Sequence, residues 1–451
     1  MRLQLPIAAA LFFLISGCGT LRIKIDYGTT PTLKTAETPL DFAKTLAAIS
    51  TWTPTPSVTP SPTRITDNGG SANPSPTESP SKAVAVAAGY NHTCALLNSG
   101  KVICWGLNDK GQLGDGSRIN RTTPVEVKGL DGVTAIAAGG SLTCALAGGG
   151  VKCWGENLSG QLGDGTHTDR VTPVDVTGLS NRVAAITAGG GHTCALMDRG
   201  EVRCWGWNGD GQLGDGTNID RSTPVPVDAA GALFYSITAG YEHTCALTTS
   251  AGVKCWGKNG QGQLGDGTHA DRAVPADVQG LRTTVLSLSL GESHTCALMH
   301  DHSLECWGDN QFGQLADDAV QDSAYPLAVE GFGGGVQAVS AGSGHTCALT
   351  EAGAECWGRN YFGQLGNGTT DNSFRPVMVT GFSLTVAAIT TGSNHTCGLT
   401  AGGGVRCWGN NAFGQLGDGT NVDRSTPVDV VGMSLVAIHL EDLDREVAAR
   451  V

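Results

Sequence analysis

Short apolar segments bounded by glycine, asparagine or proline recur along most of the chain, and each is the length of a β-strand. In the first copy of the pattern they are Val84–Ala87, Thr93–Leu97, Val102–Trp105 and Val125–Val127. All four are rich in Val, Ala, Leu or Thr, and no helical period of 3.6 residues accompanies them. The pattern therefore predicts units of four short strands.

The unit repeats seven times, and the marker residues described next are present in every copy. A Cys-Trp-Gly triplet returns every 49 to 51 residues, with a Gln seven positions after each Trp and a Pro nineteen positions after it. The seven tryptophans are Trp105, Trp154, Trp205, Trp256, Trp307, Trp357 and Trp408. A period of this length with several strands in each unit is typical of a propeller or a solenoid, and seven four-stranded units fit a closed ring. Two segments could serve as the first strand that completes the ring, Val84–Ala87 and Leu435–Ile438.

These motifs resemble those of a known repeat family. Ala-Gly-x-x-His-Thr-Cys-Ala-Leu, followed by Gly-x-Val-x-Cys-Trp-Gly-x-Asn-x-x-Gly-Gln-Leu-Gly, is similar to the repeat of the regulator of chromosome condensation family, and the resemblance covers about residues 83–433. It implies an all-β, seven-bladed β-propeller. Family members include a nuclear guanine-nucleotide exchange factor and secreted bacterial proteins, so the resemblance indicates the fold and leaves the function open.

Fourteen of the 15 cysteines occur in pairs nine or ten residues apart within each unit. If Cys94 faces Cys104, then Leu96 faces Val102 and a three-residue turn ends at Gly100; the shorter second copy keeps this register through a two-residue Gly-Gly turn. Opposed strand residues lie within disulfide range, which predicts one bridge in each unit and an oxidising compartment. Reduced core cysteines or metal ligands are the alternative, although the spacing does not match the short CxxC of zinc sites. The predicted pairs are Cys94–Cys104, Cys144–Cys153, Cys194–Cys204, Cys245–Cys255, Cys296–Cys306, Cys347–Cys356 and Cys397–Cys407.

Residues that recur in every unit are expected to be architectural, because each unit must solve the same packing problem. The tryptophans should fill gaps between blades, with a sugar-stacking ring as the alternative. Six units carry a histidine where the second carries Leu142, which favours a structural hydrogen bond over metal ligation. The aspartate of the Gly-Gln-Leu-Gly-Asp-Gly segment should cap backbone N–H groups, with a calcium loop as the alternative. We therefore expect neither a metal nor a cofactor.

The N-terminal region differs from the repeats. A short apolar run ends in Ile15-Ser16-Gly17-Cys18, which resembles the lipobox of bacterial lipoproteins and implies cleavage before Cys18 and lipid on it. An ordinary signal peptide is the alternative. Residues 53–81 contain seven Pro, six Ser and six Thr, a composition that stays extended. The predicted organisation is a signal peptide at 1–17, a disordered, lipid-anchored linker at 18–82, the propeller at 83–433 and a tail at 434–451, in a protein exported to the bacterial cell envelope.

Charge excludes one class of partner. The chain has a formal net charge of −13, and residues 83–451 hold 21 Lys and Arg against 36 Asp and Glu. So acidic a body repels a phosphate backbone, and we do not expect nucleic-acid binding.

Specific function is expected where the copies differ. The position before Gly-Gln-Leu is polar or small in copies one to four, but it is Phe312, Phe362 and Phe413 in copies five to seven. Tyr361 lies beside the second of these, and copy five replaces the glycine loop with a segment that contains Asp317 and Asp318. These six residues are a candidate partner-binding set, because aromatic residues anchor interfaces. Packing between blades is the alternative for the phenylalanines.

The favoured function is a non-catalytic, extracytoplasmic scaffold that binds a protein or a cell-envelope polymer. A hydrolase or lyase acting at the central channel is a second hypothesis, although no Ser/His/Asp set or carboxylate pair stands apart from the repeats. Guanine-nucleotide exchange is a third, by family analogy alone. Export and disulfides argue against a cytosolic partner.

Overall fold

The computed structural model describes residues 82–318, 321–332, 335–382 and 386–433, and these form a seven-bladed β-propeller. Each blade is a four-stranded antiparallel meander built from one repeat, with its strands in chain order. The predicted signal peptide, Cys18, the linker and the tail from 434 onward lie outside the described residues. Within them there is no helix that could cross a membrane.

The first strands of neighbouring blades contact one another all the way round, so they surround the central axis. Six of them end on alanine or threonine and one on Leu290, and a glycine follows each strand, which lets seven strands meet at a narrow centre. Their bounds are Ala83–Ala88, Val133–Ala138, Val183–Ala188, Phe234–Ala239, Val285–Leu290, Val336–Ala341 and Val386–Thr391.

The second and third strands carry the core of each blade. The second strands are buried along almost their whole length: His92–Leu97, Leu142–Ala147, His192–Met197, His243–Thr248, His294–Met299, His345–Thr350 and His395–Thr400. The third strands are Val102–Gly106, Gly150–Gly155, Val202–Gly206, Val253–Gly257, Leu304–Asp309, Gly353–Gly358 and Val405–Gly409. The predicted hairpin register is confirmed, since Cys94 faces Cys104, Leu96 faces Val102 and Gly100 has a φ of 78°.

The fourth strands form the outer edge. They are Arg121–Glu126, Arg170–Asp175, Arg221–Pro226, Arg272–Asp277, Asp322–Ala328, Ser373–Met378 and Arg424–Asp429. In the first blade this strand begins four residues before the predicted Val125, with Pro124 inside it rather than at its border. An edge strand tolerates proline because one side of its backbone needs no partner.

The ring closes without exchanging a strand between its ends. Ala83–Ala88 is the first strand of blade one, and it packs directly against the strands of blade seven. The backbone N–H of Ala83 donates to the carbonyl of Gly403, 3.0 Å away. The competing segment Leu435–Ile438 lies outside the described residues.

Seven disulfides are present, with the predicted pairing, and each packs against a buried residue of the next blade. The bridge Cys94–Cys104 shares a buried cluster with Trp154 of blade two, and Cys397–Cys407 shares one with Trp105 of blade one. The same combination recurs in all seven interfaces. The tryptophans therefore fill the gaps between blades, as predicted, and the disulfides form part of those interfaces.

Candidate interaction surface

The loops of the propeller are divided between two ends. Because the strands alternate in direction, the loops after the first and third strands of every blade lie at one end, which we call the loop face. The tight hairpin turns lie at the other end. The residues that differ most between repeats, including the predicted aromatic set, are on the loop face.

A chain of hydrogen bonds between neighbouring blades, which we call the relay, lies directly beneath the loop face. The hydroxyl of Thr143 in blade two donates to the carbonyl of Gln112 in blade one, 2.9 Å away, and Trp154 Nε1 donates to the same oxygen. His92 Nε2 lies 2.9 Å from the Thr143 hydroxyl, whose only hydrogen is already used. The histidine must therefore donate, which leaves its Nδ1 without a proton.

Six of the seven interfaces contain the whole relay, and the one after blade two has Leu142 in place of the histidine. Burial lowers the pKa of His92 to about 4 and that of His243 to about 3, so these rings are neutral. The predicted structural role of the histidines is confirmed. In the described residues no group of His, Cys, Asp or Glu side chains is arranged to hold a metal ion.

The glutamine of each loop also fixes one neighbouring backbone position. In blade one Gln112 Oε1 accepts from the N–H of Lys110, and in blade five Gln314 Oε1 accepts from the N–H of Phe312, both at 2.9 Å. The same bond occurs in all seven blades, at Lys110, Ser159, Asp210, Gln261, Phe312, Phe362 and Phe413. We call these the display positions, because the backbone is held alike while the side chain differs.

An aspartate–arginine pair closes the same loop in blades one to four and seven. In blade one Asp115 accepts from the backbone and hydroxyl of Ser117, and its other oxygen lies 2.7 Å from the Arg121 guanidinium. Burial alone would raise the pKa of Asp115, but these hydrogen bonds outweigh it and hold the pKa below its ordinary value. The predicted capping role of the aspartate is confirmed, and Arg121 is a partner that sequence analysis missed.

Blades five and six lack this pair. The asparagine that bonds this loop in the other blades is kept in blade five, where Asn310 Nδ2 donates to the carbonyl of Asp317, 2.7 Å away. Asp318 is exposed and pairs with Arg375 of blade six at 3.1 Å. The same two blades carry Phe312, Tyr361 and Phe362 of the aromatic set, whereas Phe413 lies in blade seven, which keeps its Asp418–Arg424 pair.

The structure brings together part of that set. The Phe312 ring meets Tyr361 edge to face with centroids 5.9 Å apart, and the Arg359 guanidinium lies 5.1 Å from the first ring and 5.0 Å from the second. Phe312 is half-buried, whereas Tyr361 is 55% exposed. Phe362 and Phe413 are half-buried at their own display positions, and within the described residues neither makes a ring contact with another aromatic side chain.

Two further aromatic residues of these blades were not predicted. Tyr325 is 53% exposed and Phe374 41% exposed, and both lie on fourth strands. The Tyr325 ring lies over Gly267 of blade four, and the Phe374 ring over Gly313 of blade five. The signal was present in the sequence, because both replace threonine, serine or another small residue found there in most other copies.

Comparison with known proteins is consistent with this architecture. A family model described as an RCC1-like domain matches residues 181–447, and models of the regulator of chromosome condensation (RCC1) repeat match 83–112, 99–146 and 149–196. The chain is 34% identical over 363 residues to the ultraviolet-B receptor UVR8 of Arabidopsis thaliana, covering 78% of this chain and 71% of UVR8. The chain belongs to the RCC1 repeat family.

More distant relatives share the propeller. The chain is 33% identical to part of the human E3 ubiquitin-protein ligase HERC2, with 59% of this chain matched to 6% of that much longer protein. Human WBSCR16 superposes with a TM-score of 0.67 at 23% identity, over 73% of this chain and 94% of that one. Prp20p of Saccharomyces cerevisiae gives 0.65 at 23% identity, over 75% and 86%. These structural likenesses establish the fold.

Proposed function

We propose that this RCC1 propeller is a lipid-anchored, exported protein-binding scaffold whose partner docks on the loop face of blades five to seven. The observation that carries the proposal is the cluster of Phe312, Arg359 and Tyr361, a half-exposed aromatic group at a display position that is held by the same glutamine hydrogen bond as in the other blades. The relatives UVR8, a receptor, and HERC2, a ubiquitin ligase, are regulatory proteins and support a binding role.

Aromatic and arginine side chains are the residues that most often dominate binding energy. The Arg359 guanidinium contacts both rings, so less conformational freedom is left for it to lose when a partner binds. The body is acidic, and a partner with a basic rim would be attracted to it over a distance of several ångströms. We therefore favour a protein with a basic contact surface over an envelope polymer.

The cell-envelope location rests on two independent features. The sequence around Cys18 resembles a lipidation site, and the seven disulfides require an oxidising compartment to form. A signal peptide, a stalk and an anchor would together place the propeller outside the cytoplasm.

The test uses the full chain as bait against a detergent extract of the cell envelope. Tyr361→Ala should reduce the retention of a captured protein at least tenfold, and Phe312→Ala should do so as well. Lys110→Ala is the matched control, because it removes a side chain from the equivalent display position of blade one. Protease treatment of the extract separates a protein partner from a polymer.

Two results would contradict the proposal. If Tyr361→Ala and Lys110→Ala retain the captured protein equally, the aromatic cluster is not the docking site. If Phe312→Ala lowers the melting temperature while capture is normal, that ring is a packing residue. Capture that survives protease treatment would identify a polymer and overturn the choice of a protein.

A further inference from the structure

The central channel opens on the loop face into a cavity of about 110 Å³, which has room for several water molecules. A glycine from every blade forms its neck, and an added Cβ at Gly139 would overlap the carbonyl oxygen of Gly189 in the next blade. The residue after each of these glycines lines the mouth. In blade order these residues are Tyr90, Gly140, Gly190, Tyr241, Glu292, Ser343 and Ser393.

This ring of residues is not symmetric. Tyr90 of blade one and Tyr241 of blade four meet with ring centroids 5.1 Å apart and planes inclined at 47°. Blades two and three lie between them and contribute only Gly140 and Gly190, and the Tyr241 ring occupies the space that a side chain at Gly190 would need. The two aromatic rings therefore reach towards each other across the mouth, over the glycines of blades two and three.

Blade five, next to the blade of Tyr241, adds one carboxylate to the mouth. Within the described residues Glu292 makes no hydrogen bond or ion pair through its carboxylate, although it is half-buried in the cavity wall. Tyr90 and Glu292 line the same cavity, and burial raises the pKa of Tyr90 above its ordinary value, with the Glu292 charge raising it further. Glu242, on the same face but outside the cavity, is paired with Lys258.

We propose that the channel mouth binds one alkylammonium group, between the Tyr90 and Tyr241 rings and the Glu292 carboxylate. A cation is attracted both by the faces of aromatic rings and by an opposed carboxylate, and part of its water is replaced in a half-buried site. An anion would be repelled by Glu292 and by the acidic body. The site is separate from the aromatic cluster of blades five and six, and it does not depend on the function proposed above.

The experiment titrates the full chain with choline by calorimetry and compares it with 3,3-dimethyl-1-butanol, a neutral molecule of nearly the same shape. Choline should bind with a Kd on the order of 1 mM, and the neutral molecule at least tenfold more weakly. A second titration with N-acetyl-lysine amide distinguishes two sources of the cation, a small quaternary ammonium compound and the lysine of a partner protein. Binding of either cation supports the proposal.

Variants assign the binding to the named groups. Glu292→Gln should weaken choline binding about tenfold, whereas Glu242→Gln makes the same charge change on the same face and should leave it unaltered. Tyr241→Phe should keep the affinity and Tyr241→Leu should lose most of it, with melting temperatures measured for both. Equal binding of choline and its neutral counterpart, or equal effects of the two glutamate variants, would overturn the proposal.

Discussion

The six buried histidines should make the stability of the propeller depend steeply on pH. Burial lowers their pKa to about 4 for His92 and about 3 for the other five, whereas an unfolded histidine titrates near pH 6.5. The unfolded chain therefore binds protons that the folded chain does not. It follows that stability is complete above pH 6.5 and is lost as the pH falls from there towards 4.

The magnitude follows from the number of protons. At pH 5.5 each unfolded histidine is roughly nine-tenths protonated, so unfolding takes up about five protons and the free energy of unfolding changes by about 7 kcal/mol per pH unit. The five loop aspartates with lowered pKa act below about pH 4 and add to the loss only there. Burial raises the pKa of five carboxyl groups, which release protons on unfolding and so reduce the uptake, each by a fraction of a proton: Glu156, Asp210, Glu305, Asp309 and Glu355.

Calorimetric unfolding in two buffers with different ionisation enthalpies measures the proton uptake directly. The full chain should take up about five protons at pH 5.5 and almost none at pH 8. His243→Leu should take up one fewer, and the fold should accept it because Leu142 occupies the equivalent position in blade two. Uptake of fewer than about two protons at pH 5.5, or the same uptake in the variant, would refute the reasoning.

Three further predictions concern the relay, the disulfides and the anchor. Thr295→Val should lower the free energy of unfolding by about 2–3 kcal/mol at pH 8, as measured in denaturant titrations, because it leaves the His243 Nε2–H buried without an acceptor. The loss should exceed that of His243→Leu, and equal losses would contradict the assigned direction of that bond. All seven disulfides of the native protein should resist reduction by a water-soluble phosphine, because every bridge is buried against a tryptophan of the next blade. The same phosphine should reduce them in 6 M guanidinium, as measured by thiol labelling and mass spectrometry. Labelling of the native protein would show that the interfaces open. Cys18→Ala should move the protein to the soluble fraction or block its processing, and a variant that is cut normally and stays membrane-bound would exclude lipidation.

The hairpins could be predicted from the sequence to the residue. Strand pairing has a period of two, so placing Cys94 opposite Cys104 fixes every other pair in the hairpin and leaves only the turn length free. The Gly-Gly turn of the second copy absorbs its deletion for the same reason. The bounds of the fourth strand were harder to predict, because a proline such as Pro124 usually marks the end of a strand. Pro124 is tolerated inside this strand only because the strand lies at the edge of its sheet.

The candidate sites were less predictable because they depend on how blades meet. The exchange of polar or small residues for Phe312 and Tyr361 is visible when the repeats are aligned, but the contact of Arg359 with both rings is not. The contact of Tyr90 with Tyr241 joins residues three repeats apart, and it arises only because a ring of seven blades brings them together across the axis. Local pattern carries no information on such distances.

The division between invariant and variable positions has a physical basis. A residue such as Thr295 bonds to Gln263 and His243 of the preceding blade, so its replacement disturbs two blades at once. At a display position such as Phe312 the scaffold holds only the backbone N–H, and every residue except proline can donate that bond. Side-chain exchange there leaves the loop framework intact. Binding specificity in this propeller can therefore change at the loop face with little effect on stability, and the free energy of folding resides in the interfaces below it.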